Sequence, residues 1–319
     1  MKALVVSALS PDLSGIALAE VPAPEPREGQ VLIRVRAAAL NYPDLLMTRG
    51  DYQLKPPLPF VPGMEVAGEV VSGDGFAPGE PVVAGTRLGG FAELVAVDAG
   101  AVRRKPAQLS FAQAASVGTA YLTAYVTLVR LARVEPGEWV LVHGATGGVG
   151  WATVDLAHAL GARVIATGRD QAKLDLITRA LPIEAALTLP GFRDQVKEIT
   201  GGAADVIVDP VGGDVFDESV RCIAFGGRLM VVGFTSGRIA EVSTNMPLIK
   251  GFSVIGVRAG EYGRRFPDKG RENVDAVWRL AEEGRLTPRV GREVPLQHWR
   301  DAFEAMRDSR LVGKLVLVP

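Results

Sequence analysis

The sequence has 319 residues, with 35 Lys and Arg against 36 Asp and Glu, for a formal net charge of −1. This length predicts about two domains, and the balanced charge argues against a nucleic-acid-binding protein, which would carry a basic excess. Cys222 is the only cysteine, so an intrachain disulfide and a zinc site built from cysteines are both excluded.

Residues 1–105 read as short β-strands separated by turns. Apolar and β-branched runs alternate with clusters of Pro, Gly and Asp such as PAPEPREG and GDGFAPG. The predicted strands are MKALVVSAL, QVLIRVRAAAL, GMEVAGEVVS, EPVVAG and FAELVAV. This pattern predicts a small β-barrel or β-sandwich domain.

A run without charged residues extends from Pro106 to Val129 and is long enough to cross a membrane. Its Gln, Ser and Thr residues would be costly in hydrocarbon, and Ser110 and Gln113 have the spacing of a capping box. We therefore expect buried helix here. Met1 leads into sequence without a long secretory core or cleavage site, so we expect a soluble, cytoplasmic protein.

From Glu138 to Arg258, predicted strands are separated by helical stretches. The strands are WVLVHGA, RVIATGR, AALTL, DVIVDP, GRLMVVGF and FSVIGVR. Strands that are apolar on both faces and joined by helices predict a parallel, doubly wound sheet. Two helical stretches, NVDAVWRLAEEG and HWRDAFEAMRDS, and a strand, KLVLVP, follow. Periodicity does not assign this last part to either domain.

The segment HGATGGVG, residues 143–150, lies between a predicted strand and a predicted helix, where a dinucleotide fingerprint belongs. Read as G-x-G-x-x-G, its small residues are Ala145, Gly147 and Gly150, with Gly148 as an additional glycine. Small residues let the backbone approach a pyrophosphate, which the N–H groups of the helix then bind. The alternative is a tight turn without a ligand. The predicted cofactor-binding positions here are Ala145, Gly147, Gly148 and Val149.

The end of the next strand indicates which cofactor is bound. An NAD site places an acid about 20 residues after the fingerprint, where it binds the ribose 2′-hydroxyl. Here the strand ends in Thr167, Gly168 and Arg169, and Lys173 follows one helical turn later. A hydroxyl and two cations suit a 2′-phosphate, so we predict NADPH. Asp170 is the counterargument, because a small shift in register would place it at the ribose.

Seven segments occur together in one protein family: NYPDLLMTRGDY, PGMEVAGEV, YLTAY, HGATGGVG, GRLMVVGF, NMPLIKGFSVIGV and GKLVLVP. With them the whole chain resembles the zinc-independent medium-chain dehydrogenase/reductases, nearest to NADPH:quinone oxidoreductases of the zeta-crystallin type. The resemblance implies an α/β protein with a GroES-like substrate domain, residues 1–115 with 259–319. It also implies a Rossmann NADPH-binding domain with a six-stranded, doubly wound parallel sheet, residues 116–258.

The resemblance also implies roles for individual residues. Asn41 falls at the family's cofactor- and substrate-facing asparagine, and Tyr52 aligns with a proton-donating tyrosine of related enoyl reductases. Arg258, at the end of the last Rossmann strand, matches an arginine at the cleft of some quinone reductases. Thr123 would contact the nicotinamide carboxamide. The further cofactor-binding positions, near other strand ends, are Val211, Gly233, Phe234, Thr235 and Val257.

The segment NYPDLLMTRGDY therefore has a structural and a functional interpretation. Asn41 and Asp44 have the capping pattern for the helix PDLLMTR, and for Asp44 we favour this structural role. For Asn41 and Tyr52 we favour function, because buried Asn and Tyr side chains otherwise need dedicated partners. We predict a capped helical turn that presents Asn41 and Tyr52 to a cleft.

No zinc is expected. Zinc alcohol dehydrogenases carry a metal-binding His where PGMEVAG has Met64, and their other ligands are mainly cysteines. The three histidines of this chain, His143, His158 and His298, show no ligand spacing. Hydrogen-bond donors must then stabilise the negative charge that develops on a carbonyl-type oxygen.

These features predict an NADPH-dependent reductase that transfers a hydride to quinones or α,β-unsaturated carbonyls without a metal. Enoyl or acryloyl thioesters are the alternative substrates, and a non-catalytic NADPH-regulated binding protein is the alternative class. FSVIGVR should form a sheet edge with unpaired backbone groups. The family commonly pairs such edges, so a homodimer through the Rossmann sheet is expected.

Overall fold

The computed structural model describes every residue, Met1–Pro319, and the chain folds into two compact units. The first unit comprises Met1–Thr119 and Pro288–Pro319, and the second comprises Ala120–Thr287. The second unit is therefore inserted into the sequence of the first.

The first unit is built on antiparallel strand pairs, except for one parallel pair. Its strands are β1 (Lys2–Val6), β2 (Ile16–Glu20), β3 (Gln30–Leu40), β4 (Glu65–Gly73), β5 (Pro81–Gly85), β6 (Leu94–Asp98), β7 (Val102–Arg104), β14 (Val290–Pro295) and β15 (Lys314–Val318). Its helices are α1 (Tyr42–Arg49), α2 (Phe111–Ala115) and α11 (Trp299–Arg307). Seven strands form one sheet in the order β14-β15-β3-β4-β5-β7, with β6 also paired to β3, and β1 pairs with β2. The parallel pair is β14 with β15.

Strand β3 is the centre of this sheet. It pairs with β4, β6 and β15, all antiparallel, and Leu315 lies opposite Leu40 in the β15 register. Its side chains alternate between buried and less buried positions along most of its length, as a strand with one face on a core requires. The C-terminal strand KLVLVP thus completes the sheet of the first unit.

The second unit contains a parallel sheet. Its strands are β8 (Trp139–Val142), β9 (Arg163–Gly168), β10 (Ala185–Thr188), β11 (Ala204–Asp209), β12 (Ile223–Val231) and β13 (Ser253–Gly256). Its helices are α3 (Gly118–Tyr125, which begins in the first unit), α4 (Gly148–Ala159), α5 (Gln171–Ala180), α6 (Arg193–Thr200), α7 (Gly213–Ser219), α8 (Asn245–Lys250), α9 (Ala259–Arg265) and α10 (Pro267–Glu282), and a π-helical segment spans Val126–Ala132.

The strand order of this sheet is β10-β9-β8-β11-β12-β13, and every pairing is parallel. This order confirms the predicted six-stranded, doubly wound sheet, with β13 at an edge. All four residues of β8 are buried, because helices cover both faces of a doubly wound sheet. The order reverses between β8 and β11, and ligands of such sheets bind beyond the carboxyl ends of the strands at this reversal.

Residues 259–287 lie in the second unit. The sequence analysis had assigned them to the GroES-like domain with the rest of 259–319. Arg130 donates hydrogen bonds to Asn273 (2.6 Å) and Glu272 (2.7 Å) on α10. Trp151 on α4 donates its indole N–H to the carbonyl of Thr287 (2.8 Å). These polar contacts are between residues distant in sequence, which periodicity does not reveal.

The charge-free run from Pro106 to Val129 contains α2 and α3 rather than one continuous helix. The predicted capping box is present at α2, because Ser110 and Gln113 exchange side chain–backbone hydrogen bonds. None of the chain's helices combines the length and the apolar character that crossing a membrane would require.

Candidate active site

A glycine-rich turn joins β8 to α4. Gly144 has a φ of +57°, in the left-handed region that favours glycine. A Cβ at Gly150 would lie 2.1 Å from the carbonyl oxygen of Gly144, so helix and turn can approach this closely only with glycine there. A Cβ at Gly147 would meet only that same oxygen, at 3.4 Å. Gly150 therefore serves packing, whereas the space beside Gly147 is open.

The open space beside Gly147 lies at the start of α4. Gly147 is exposed and is the N-cap of α4, a helix of 12 residues without an acid in its first turn. The first N–H groups of such a helix, including those of Gly148 and Val149, have no acceptor within it and lie at the positive end of its dipole. Ala145 is buried, and its N–H donates to the carbonyl of Thr167 (3.0 Å), which fixes the turn against β9.

A buried histidine immediately precedes the turn and holds it to neighbouring elements. His143 is fully buried, with Nδ1 2.8 Å from the hydroxyl of Thr167 and Nε2 2.8 Å from that of Ser219. Ser219 donates its own hydroxyl hydrogen to the carbonyl of Val215 (2.6 Å), so His143 donates from Nε2 and accepts at Nδ1. Burial lowers the pKa of His143 to about 3, so the ring is neutral.

This arrangement corrects the role predicted for Thr167. Its side chain is fully buried and bonded to His143, so its hydroxyl cannot reach a 2′-phosphate. Arg169, two residues later, is exposed and makes no hydrogen bond or ion pair within the chain. Asp170 is the N-cap of α5, where its carboxylate accepts from the N–H of Lys173 (3.2 Å). The acid that could have bound a ribose hydroxyl thus caps a helix.

The loops after β11 and β12 complete this edge of the sheet. The N–H of Thr235 donates to the carbonyl of Pro210 (3.0 Å), and the N–H of Ser236 donates to that of Val211 (3.0 Å). These bonds bring together the predicted positions Val211, Gly233, Phe234 and Thr235. Val257 is buried beside β12, with its N–H donating to the carbonyl of Val231 (2.9 Å).

Two other predicted positions belong to the second unit. Thr123 lies on α3, where its carbonyl accepts from the hydroxyl of Thr127 (2.7 Å). Arg258 does not end the last strand as predicted, because β13 stops at Gly256. It is exposed and occupies the N-cap position of α9.

Asp209, at the end of β11, was missed by the sequence analysis. Its Oδ1 accepts hydrogen bonds from the N–H groups of Val211 (2.7 Å) and Gly212 (2.9 Å). Its Oδ2 is buried without a partner, and burial raises the pKa of the carboxyl. Asp209 therefore shapes the loop at the reversal of strand order. The run DVIVDPVGG placed an acid before glycines, which is the pattern that could have revealed it.

In the first unit, Asn41 and Asp44 start helix α1. The carboxylate of Asp44 accepts from the N–H groups of Asn41 (2.9 Å) and Gly63 (3.0 Å), which supports the structural role favoured for it. Burial raises the pKa of Asp44 to about 7. The N–H of Asp44 donates to the backbone carbonyl of Asn41 (3.0 Å). Asn41 is 5% exposed, and its amide bonds to Glu65 and Lys314.

Tyr52 lies beyond the other end of α1. Its ring is half-buried against the core of the first unit, and its hydroxyl makes no hydrogen bond within the chain. Helix α1 has 8 residues, which is about 12 Å at the rise of an α-helix. Asn41 and Tyr52 flank opposite ends of this helix, and the amide of Asn41 bonds to Glu65 and Lys314.

The chain gathers no group of three or more His, Cys, Asp or Glu side chains that could hold a metal ion. Met64 packs against the core of the first unit. Cys222 is buried in the second unit, where burial raises the pKa of its thiol to about 12. His158 and His298 are exposed on separate elements.

Family models match both parts of the chain. Residues 27–107 match the alcohol dehydrogenase GroES-like domain, and residues 148–281 match the model described as zinc-binding dehydrogenase. A GroES-like domain with an inserted Rossmann-type sheet defines a medium-chain dehydrogenase/reductase.

Similar proteins indicate which family within the medium-chain dehydrogenase/reductases the chain belongs to. The quinone oxidoreductase-like protein 2 homolog of Nematostella vectensis is 38% identical over 303 residues, covering 90% of this chain and 81% of the relative. The quinone oxidoreductase of Thermus thermophilus, solved also in complex with NADPH, is 34% identical, with a TM-score of 0.87 and full coverage of both chains. The chain belongs to the quinone oxidoreductase family, as its motifs predicted.

Two further similarities concern a protein solved with NADPH and part of a polyketide synthase. A mycobacterial protein solved in complex with NADPH is 28% identical, with a TM-score of 0.89 and full coverage of both chains. Polyketide synthase GfsB of Streptomyces halstedii is 39% identical over 295 residues, which are 91% of this chain and 5% of that protein. The predicted cofactor, NADPH, agrees with both NADPH complexes.

Proposed function

We propose that this chain uses NADPH to reduce quinones or α,β-unsaturated carbonyl compounds without a metal ion. The observation that carries the proposal is the open space at Gly147 beside the free N–H groups of α4, at the strand-order reversal of the sheet. When bound, NADPH supplies a hydride to the acceptor. The residues that would hold it are Thr123, Ala145, Gly147, Gly148, Val149, Gly168, Arg169, Lys173, Val211, Gly233, Phe234, Thr235 and Val257.

The end of β9 supports NADPH rather than NADH. Arg169 is exposed without an intramolecular partner, and Asp170 is occupied as the cap of α5. A guanidinium binds a phosphate bidentately, whereas a ribose hydroxyl needs an acceptor that this strand end does not offer freely.

Arg169→Ala is expected to weaken NADPH binding and to leave NADH binding nearly unchanged. Loss of one charge-assisted contact costs about 1.5–3 kcal/mol, or roughly ten- to more than a hundredfold in Kd. Titration of both cofactors by intrinsic fluorescence measures this difference. Arg179→Ala is the matched control, because Arg179 is an exposed arginine in the last turn of α5. Equal weakening of both cofactors by Arg169→Ala would assign Arg169 to the fold.

Chemistry without a metal needs a hydrogen-bond donor for the negative charge on the acceptor oxygen. Tyr52 offers a hydroxyl without an internal partner, and its ring is fixed by packing. Arg258 offers an exposed guanidinium. The absence of any grouping of metal-ligating side chains supports this assignment. Asn41 is the third proposed residue, and its amide would face cofactor and substrate while Glu65 and Lys314 hold it.

Enoyl or acryloyl thioesters are the second candidate substrates. Part of a polyketide synthase is similar to 91% of this chain, so we include thioesters beside quinones and enones as test substrates. Initial rates of NADPH oxidation with matched quinones, simple enones and enoyl thioesters distinguish the two. A thioester preferred by kcat/KM over every quinone and enone would replace the substrate class proposed above.

We also propose that the chain forms a homodimer through β13. This strand is a sheet edge, and large apolar side chains near it are strongly exposed: Phe225 (87%), Leu248 (81%) and Ile249 (73%). Val254, on the strand itself, is 38% exposed. An unpaired edge beside apolar side chains fits a second copy of the same edge, which would pair the strands and cover these groups.

Leu248→Asp is expected to shift the dimer to monomer, raising the dissociation constant by roughly a hundredfold or more, because symmetry places the new charge in the interface twice. Light scattering over a concentration series measures it. Leu9→Asp, at an exposed leucine of the first unit, is the control and should remain dimeric. A wild-type monomer at micromolar concentration would refute the dimer.

A further inference from the structure

Three buried polar side chains form a closed ring in the first unit. The ammonium of Lys314 donates to Oδ1 of Asn41 (2.6 Å) and to Oε1 of Glu65 (2.9 Å). The amide of Asn41 donates from Nδ2 to the same Oε1 (2.9 Å). The three residues are 3–6% exposed. Each side chain thus bonds both of the others.

The ring joins parts of the chain that are far apart in sequence. Glu65 begins β4, Lys314 begins β15, and Asn41 lies between β3 and α1. Removing two opposite charges from water is costly, and apolar replacements of buried ion pairs are often equally stable. Stability alone therefore does not account for a buried Lys–Glu pair at this position.

The ring determines the orientation of the Asn41 side-chain amide. An ammonium can only donate and a carboxylate can only accept, so Lys314 and Glu65 leave Asn41 one amide orientation. The second oxygen of Glu65 accepts the N–H of Thr119 (2.7 Å), in the first turn of α3. A Cβ at Gly118 would lie 2.9 Å from that oxygen, so glycine makes room for the carboxylate. Helix α3 also carries Thr123, one turn after Thr119.

We propose that Lys314 and Glu65 are positioning residues, which hold the amide of Asn41 and the first turn of α3 in the arrangement that reduction requires. The proposal rests on the function proposed above, in which Asn41 and Thr123 serve cofactor and substrate. It gives Lys314 and Glu65 a role in the reaction although neither would touch NADPH or the acceptor. The ion pair fixes the direction of the amide together with the carbonyl of Ala39, which accepts a weaker hydrogen bond from Nδ2 (3.3 Å).

Asparagine-selective ¹⁵N labelling tests the structural half of the proposal without any cofactor. The sequence has three asparagines, Asn41, Asn245 and Asn273, so three side-chain amides are observed. In Lys314→Met, hydrogen exchange at the Asn41 amide should accelerate roughly tenfold or more. Buried Asn273, bonded to Arg130, and exposed Asn245 are internal controls that should not change. Unchanged exchange at Asn41 would overturn the proposal.

Turnover at saturating NADPH tests the functional half. Lys314→Met with Glu65→Gln removes both charges and guards against unfolding by one unpaired buried charge. Glu138→Gln is the control, because it breaks the partly buried Glu138–Arg228 pair (2.7 Å) elsewhere. The double variant should lose roughly tenfold or more in kcat with little change in NADPH Kd, and Glu138→Gln should lose neither.

Failure of the positioning proposal and failure of the proposed function give different results. Equal kcat in the double variant and Glu138→Gln, with the Asn41 amide freed, would overturn positioning. If wild type reduced no acceptor, the proposed function would fail, whereas the exchange comparison would still decide whether the ion pair orients Asn41.

Discussion

Tyr52→Phe is expected to slow enone reduction by about 10²-fold or more, and quinone reduction much less. Reduction of an enone leaves an enolate oxygen, which is strongly basic and needs a donor in a site without metal. A quinone leaves a delocalised, far less basic hydroquinone anion. The ring of Tyr52 packs against the core while its hydroxyl has no internal partner, so the substitution removes the donor and keeps the packing.

Steady-state rates with one enone and one quinone, at saturating NADPH, measure this effect. Tyr42→Phe is the matched control, because Tyr42 is the other phenol of the segment and is 39% exposed. NADPH affinity should stay near wild type in both variants. Should Tyr52→Phe leave both rates untouched, the phenol only lines the site, and the donor is Arg258 or water.

Gly147→Val is expected to abolish measurable NADPH binding while the protein stays folded. The backbone of Gly147 (φ −80°, ψ 172°) is extended and accepts a β-branched residue, and its Cβ would meet only one atom, at 3.4 Å. The side chain would instead fill the space assigned to the pyrophosphate. Loss of two charge-assisted hydrogen bonds costs about 3 kcal/mol or more, which is over a hundredfold in Kd.

Calorimetric titration with NADPH and a thermal unfolding curve together test this expectation. Gly202→Ala is the control, because a Cβ there meets nothing within 4 Å. Gly150→Ala should behave differently from both and lower the unfolding temperature, since its Cβ would lie 2.1 Å from a carbonyl oxygen. Wild-type NADPH affinity in Gly147→Val would place the pyrophosphate elsewhere.

The fold could be predicted where local pattern and tertiary packing agree. Strand β3 occupies Gln30–Leu40, the run predicted for it, because alternating side chains are bounded by a turn and by the start of a helix. The helix starts at Ser110 and Gly148 followed from capping and glycine chemistry. Short elements with weak patterns, such as β2 (Ile16–Glu20) and β14 (Val290–Pro295), were not predicted.

The candidate site could be predicted only in part, because side-chain direction and distant partners are not local properties. The side chains of β9 from Val164 to Gly168 are all buried, so no alternation revealed that Thr167 faces inward to His143. The sequence likewise contained Glu65 and Lys314 without relating them, since the two are 249 positions apart. Asn41 was predicted as a candidate, but its partners Glu65 and Lys314 come from strands that are distant in sequence.

The central claim, metal-independent reduction by NADPH, is tested most directly by acceptor-dependent NADPH oxidation with chelator-treated protein. The panel should contain quinones and enones, and metal content should be measured on the same sample. We predict oxidation of one NADPH per acceptor reduced, at the rate of untreated protein and without stoichiometric zinc. No oxidation with any acceptor, or activity that is lost on chelation and restored by zinc, would contradict this account.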